Sequence, residues 1–190
     1  TTTYVDESKI LRKLRIFYSG QFLYEDICNK IFKIFEQEIK GFDRTNLEKL
    51  SMIWYRKQIA YIPQNCEILS SSINDNILIG NNKLNDQEIG RLLQTVGLDN
   101  ELKNSDLTLN EPINFNISKG ISKKIHIARA LAHNPPIFLF DDPFIFLDNN
   151  GREILKNLLV SLKRSGKTII CLTDDKLLDK ISDNEIILGN

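Results

Sequence analysis

The run Ile137-Phe-Leu-Phe140 is wholly apolar and is followed at once by Asp141 and Asp142. Consecutive apolar side chains leave neither face of a strand for water, so the run suits a parallel sheet covered on both sides. Parallel sheets bind ligands at the carboxyl ends of their strands. The two acids therefore stand where a site is expected. One carboxylate there can hold Mg²⁺ through water, and a second can polarise an attacking water.

The segment before this strand adds a second feature. Ser118 and Gly120 precede a basic helix expected over Ser122–Ala132, started by Ser118 or Ser122 and ended before Pro135. Free N–H groups and the helix dipole attract anions at such a start. Lys123, Lys124 and Arg129 read as a solvated helix face. His126 and His133 lack a ligand partner in sequence and read as structural or exposed. Phe138, Phe140, Phe144 and Phe146 read as core packing. Gln64 ends the strand-like Tyr61-Ile-Pro-Gln64, where an amide oxygen can reach a metal or a water.

Hydrophobic periodicity places the other elements. Strands are expected at Leu14–Tyr18, Ile39–Gly41, Lys57–Ile62, Thr168–Leu172 and Glu185–Leu188. Helices are expected at Glu25–Phe35, Leu47–Trp54, Ile73–Ile79, Asp86–Val96 and Glu153–Lys163, with loops between Val96 and residue 116. Alternating strands and helices predict an α/β fold with a mostly parallel sheet. The helices between about 66 and 133 read as an insertion, leaving a core of about 1–65 and 134–190 in one domain.

Ser165-Gly-Lys-Thr168 imitates the end of a phosphate-binding loop, G-x-x-x-x-G-K-[ST]. Position 161, where the first glycine belongs, is Ser161. A phosphate loop also runs from strand to helix, whereas this tetrapeptide runs from helix to strand.

Composition narrows the class. Of 190 residues, 42% are hydrophobic and 26% charged, which suits a packed domain. Lys+Arg and Asp+Glu both number 25 and are interspersed, so no basic nucleic-acid surface is expected. Cys28, Cys66 and Cys171 form no CxxC pair and fit buried, reduced thiols of a cytosolic compartment. No signal peptide and no membrane-spanning apolar stretch is read. The first residue is Thr rather than Met, which fits a fragment and leaves room for a membrane segment upstream.

Taken together, these pieces resemble the nucleotide-binding domain of ABC transporters, especially exporters. Ile117-Ser-Lys-Gly-Ile121 looks like the L-S-G-G-Q signature, and Ser122–Leu131 like the helix after it. Ile137–Asp142 resembles the Walker B strand, Phe146-Leu-Asp148 the D-loop, and Tyr61-Ile-Pro-Gln64 the Q-loop. The segment Glu67–Gly80 is close to the exporter pattern that follows the Q-loop. Thr168–Asp174 corresponds to the H-loop strand.

The resemblance implies a P-loop NTPase-like core with an inserted α-helical subdomain. It implies ATP and Mg²⁺ as ligands, a transmembrane domain as partner, and a second nucleotide-binding domain in a homo- or heterodimer at the cytoplasmic face of the cell membrane. It also implies cofactor contacts from Gln64, Ser118, Gly120 and Asp148, and metal contacts from Gln64 and Asp141.

The departures are specific. Aligned by spacing, Walker A falls on Tyr18–Asp26, where Gly20 is the sole glycine, Tyr24 takes the lysine position, and Glu25 and Asp26 take the hydroxyl positions. Asp142 stands at the catalytic glutamate and Asp174 at the switch histidine. Lys119 and Ile121 alter the signature. Misalignment cannot hide a glycine-rich loop, because before Gly80 the remaining glycine is Gly41, and neither it nor Gly20 is followed by Lys-Ser/Thr. Losing the lysine and two backbone donors removes roughly 4–8 kcal/mol, or about three to six decades in affinity. Very weak ATP binding at this position is the expectation. Two functions follow: a degenerate cassette that lends its signature to a partner's ATP, or a pseudo-ATPase interaction module with no turnover.

Overall fold

The computed structural model describes residues 14–17, 56–105, 107–113, 117–173, 175–182 and 184–186. The helices expected at Glu25–Phe35 and Leu47–Trp54, the strand at Ile39–Gly41, and Tyr18–Asp26 lie outside the described residues.

Among the described residues, five strands form one sheet: β1 (Leu14–Phe17), β2 (Ile59–Ile62), β3 (Ile137–Asp141), β4 (Thr168–Leu172) and β5 (Asn184–Ile186). Their order is β2-β3-β4-β1-β5, with every pairing parallel. The apolar run read from the sequence lies inside this sheet. Phe138, Leu139 and Phe140 are buried, as is every residue of β4. β2 starts at Ile59 rather than Lys57 because residues 56–58 are helical.

Register decides where the site forms. Ile62 lies opposite Phe140, and Asp141 lies opposite Leu172. The turns that leave β2 and β3 therefore emerge side by side on the carboxyl edge of the sheet.

Among the described residues between β2 and β3 stand four helices: α1 (Ile73–Leu78), α2 (Asp86–Val96), α3 (Leu98–Lys103) and α4 (Lys119–His133). α5 (Asn149–Arg164) joins β3 to β4. Capping fixes most of their starts. Ser72 with Asp75, and Asn85 with Glu88, each form a reciprocal capping box. α4 starts at Lys119, earlier than Ser122, because the Ser118 hydroxyl accepts the N–H of Ile121. α5 starts at Asn149 rather than Glu153, because Asp148 accepts the N–H of Gly151. α3 falls in a region expected to be loops. Gly97, at φ 71°, ends α2 in the left-handed conformation and restarts the chain as a helix.

Leu155, Leu158, Leu159 and Leu162 form the buried stripe of α5. Each such side chain contributes about 1.5–3 kcal/mol on burial. Ile125, Ile127 and Ala128 of α4 join the same core, together with Ile73, Ile77, Ile89 and Leu93 of α1 and α2.

Candidate nucleotide site

At the carboxyl edge, Gln64, Asp141 and Asp142 are brought together. The Gln64 amide nitrogen donates to Asp142 Oδ2 at 3.3 Å. Tyr61 OH donates to Asp141 Oδ2, also at 3.3 Å. Asp142 takes φ 42°, a left-handed conformation that aspartate tolerates better than most residues, and its N–H donates to Leu172 O at 2.9 Å. That bond bends the chain across the end of β4 as it leaves β3.

Behind these groups lies Lys123, which is 0% exposed. Its ammonium donates to the carbonyls of Pro63, Gln64 and Asp142 at 3.1 Å each, with Asp141 O at 3.5 Å. Burial pulls this lysine below its ordinary pKa, while Cys66, Asp141 and Asp142 pull it back. The expected solvated face of α4 is thus overturned. Lys124 is also buried and pairs with Glu101 of α3. Half-buried Arg129 donates from Nε to Asn76 O at 2.8 Å and from Nη2 to Asn76 Oδ1 at 2.6 Å.

Ser118 and Gly120 stand at the start of α4, against the turn after β3. A β-carbon on Gly120 would lie 2.7 Å from Phe146 O, so that turn packs directly on the helix start. Lys119 Nζ lies 4.5 Å from the centre of the Phe146 ring. Phe146, at φ 67° and 40% exposed, is not core, unlike Phe138, Phe140 and Phe144. Asp148 is exposed, with its carboxylate engaged in capping α5. Asp174 lies outside the described residues. Its neighbour Asp175 pairs with Arg152, which also lies over the Phe144 ring.

His126 is half-buried, and its buried Nδ1 has no partner among the described residues. Burial, with Arg129 next, pulls its pKa down to about 4 against backbone groups of Tyr61 and Glu67. His133 Nε2 lies 3.2 Å from Arg56 O. The Ser165–Thr168 tetrapeptide forms the turn from α5 to β4, with Gly166 at φ 82° and Lys167 Nζ donating to Asn134 O at 3.1 Å.

Chemically, Gln64, Asp141 and Asp142 offer hard oxygen ligands of the kind Mg²⁺ takes. Two carboxylates and an amide fit an ion that keeps several waters, rather than an all-protein cage. Among the described residues, no cluster of three or more His, Cys, Asp or Glu could hold a metal unaided.

Known proteins place this geometry in a family. Residues 27–145 match the family model described as ABC transporter. An export ATP-binding/permease protein of Rickettsia typhi is 35% identical over 120 residues, covering 62% of this chain and 21% of that protein. ABC transporter C family member 9 of Arabidopsis thaliana is 38% identical over 135 residues, covering 69% of this chain and 9% of its own length. The chain thus spans about a fifth of the first relative and under a tenth of the second. A solved structure, a bacterial Atm1-family ABC exporter with ATP bound, superposes with a TM-score of 0.78 over 94% of this chain and 32% of that one, at 17% identity. That likeness shows the fold, a P-loop NTPase-like α/β core. The matched family model covers most of the sequence and includes Gln64, Ser118, Gly120, Asp141 and Asp142: the chain belongs to the ABC transporter family.

Proposed function

We propose that this chain is a degenerate ATP-binding cassette domain of an exporter-type transporter. It couples to transmembrane domains and lends its α4 start to ATP held by a second nucleotide-binding domain. The observation that carries this reading is the exposed start of α4, with Ser118 as its cap and Gly120 beside it, on a helix whose body is tied to the carboxyl edge by Lys123.

The N–H groups of the first turn and the helix dipole favour a phosphate there. The Ser118 hydroxyl accepts from Ile121 N–H at 3.1 Å, which orients the hydroxyl. The second domain is either a copy of this chain or a different, complete cassette. Domain limits follow the sequence reading: a core of about 1–65 and 134–190, with helices over about 66–133.

In the chain's own half-site, Asp141 and Gln64 are the residues that would hold Mg²⁺. The ion, when bound, neutralises phosphate charge and orients phosphate oxygens. Asp142 takes the place of the general base, one methylene short of glutamate. Asp174 takes the place of the switch histidine and brings a carboxylate instead of an imidazole. Asp148 belongs to the D-loop facing the partner. With Tyr24, Glu25 and Asp26 at the phosphate loop, ATP binding here is very weak.

Among the described residues, no helix is long and apolar enough to cross a membrane. The chain is placed at the cytoplasmic face of the membrane by the transmembrane partner it serves. A second reading, a pseudo-ATPase docking module, is favoured by Leu69 (58% exposed) and Ile79 (54% exposed), which flank α1 and suit contact with cytoplasmic loops.

Titration of the purified chain with a fluorescent ATP analogue and Mg²⁺ tests the weak site. The expected result is no saturation below millimolar nucleotide, and a micromolar dissociation constant overturns it. Hydrolysis that appears only with a complete cassette partner, and falls in Ser118→Ala, supports the lent signature. Turnover unchanged by that substitution favours the docking module.

A further inference from the structure

The environment of Lys123 is unusual for a lysine. It is fully buried, and its acceptors among the described residues are backbone carbonyls drawn from two separate turns. Pro63 and Gln64 belong to the turn after β2, while Asp141 ends β3 and Asp142 opens the turn after it. An ammonium has three N–H donors. Three contacts at 3.1 Å use that capacity, and the fourth, to Asp141, is the longest at 3.5 Å. Three of the four carbonyls belong to Gln64, Asp141 and Asp142, the residues gathered at the carboxyl edge. The lysine therefore grips the site from behind, through its backbone.

We propose that Lys123 is a positioning residue, a built-in cation that fixes the Gln64 turn and the Asp141–Asp142 turn to α4 without nucleotide or metal. The proposal rests on the reading that the α4 start serves a partner's ATP. It explains how a chain with a defective phosphate loop can still present Ser118 and Gly120 at a set place. The charge that gathers these turns is covalently part of α4. The geometry sets the residue type. Methionine matches the length but has no donor. Arginine keeps the charge, but its planar fork cannot converge on carbonyls from two turns as an ammonium tripod does.

Hydrogen exchange of the whole chain, read by mass spectrometry, tests the idea. In the parent chain, the hydrogen-bonded amides of Ile121, Ser122, Asp142 and Ile145 are expected to exchange slowly without nucleotide. In Lys123→Met, exchange is expected to rise about tenfold or more at these four amides together, with α2 and the body of α5 unchanged. A lysine that merely filled the core would, on removal, loosen α4 evenly through Ala132, and that pattern overturns the proposal. Unchanged exchange at these four amides also overturns it.

If Lys123→Met does not fold, Lys123→Arg decides. Localised loosening in that variant supports the tripod, and parent-like exchange shows that charge alone suffices and overturns it. A separate arm adds millimolar Mg²⁺ and ATP to the parent chain. New protection there sinks the weak-site reading, whereas the comparison without nucleotide still judges Lys123 on its own.

Discussion

A β-carbon on Gly120 would lie 2.7 Å from the carbonyl oxygen of Phe146, closer than any real side chain tolerates against backbone. The glycine in the signature turn is therefore required by packing, whatever it does for a nucleotide. Gly120→Ala is expected to lower stability by about 1–3 kcal/mol, because the Phe146 turn must shift. Gly90→Ala is the matched control. Its β-carbon meets nothing within 4 Å inside α2, so it is expected to raise stability by about 0.5–1 kcal/mol. Urea midpoints of the two variants check both signs.

Asn76 is the most heavily used buried polar side chain on α1. Its amide donates to Leu69 O at 3.1 Å and Ser72 O at 2.9 Å, while its oxygen accepts from Leu69 N–H and from Arg129. Asn76→Ala leaves several of these groups without partners. A loss of about 2–4 kcal/mol is expected, with the loop at residues 66–71 becoming the first segment cut by protease. Denaturant titration and mapping of the first cleavage site measure the two effects.

His126 gives a signed pH dependence. Its pKa falls from 6.5 to about 4 on folding, so the unfolded chain binds the extra proton between those values. The neutral ring carries no penalty above about pH 6.5, and stability is lost progressively as pH falls from there towards 4. Between pH 7 and pH 5 the loss attributable to this group is about 1–2 kcal/mol. His126→Leu is expected to flatten that part of the curve. Equal slopes for both proteins in urea titrations at these pH values would refute the assignment.

The cysteines should separate by reactivity. Burial pushes the Cys171 thiol well up, and the residue is 0% exposed in β4. Cys66 is also raised by burial, but Lys123 and Arg129 counter this, and its S–H reaches Pro63 O at 3.3 Å from a half-buried loop. Since the thiolate is the nucleophile, iodoacetamide at pH 8 is expected to label Cys66 well before Cys171. Labelling of Cys171 should follow the unfolding rate. Time-resolved peptide mass spectrometry reads both.

Much of the frame could be read from residue order alone. Asp86–Val96 and Thr168–Leu172 have the bounds that periodicity placed on them, because each is a clean apolar pattern between breakers. α3 was hidden by Gly97, which both ends one helix and starts the next. The two buried lysines were missed for a different reason. Lysine is a surface residue by default, and nothing local shows that carbonyls from β2 and β3 will surround it. A signal was nonetheless present. Ile127 and Ala128 stand four residues after Lys123 and Lys124, which puts both lysines on apolar stripes of the helix. Gln64, Asp141 and Asp142 stand as neighbours because strand ends in a parallel sheet share one edge. How the turns are held could not be read, because that depends on contacts about 60 residues apart in the chain.

The pairing of β1 with β4 sets the order of assembly. Leu14 lies opposite Ile169 and Phe17 opposite Leu172, so the first strand of the sheet is made long before the strand it joins. During synthesis β2 and β3 can pair while β1 is still without either neighbour, since its other neighbour, β5, comes later still. Closure across so wide a span makes parallel sheets slow to form and leaves strand edges open meanwhile. The chain is therefore most vulnerable to aggregation just before β4 emerges from the ribosome, and a truncation ahead of Thr168 should yield a protein that needs a chaperone to stay in solution.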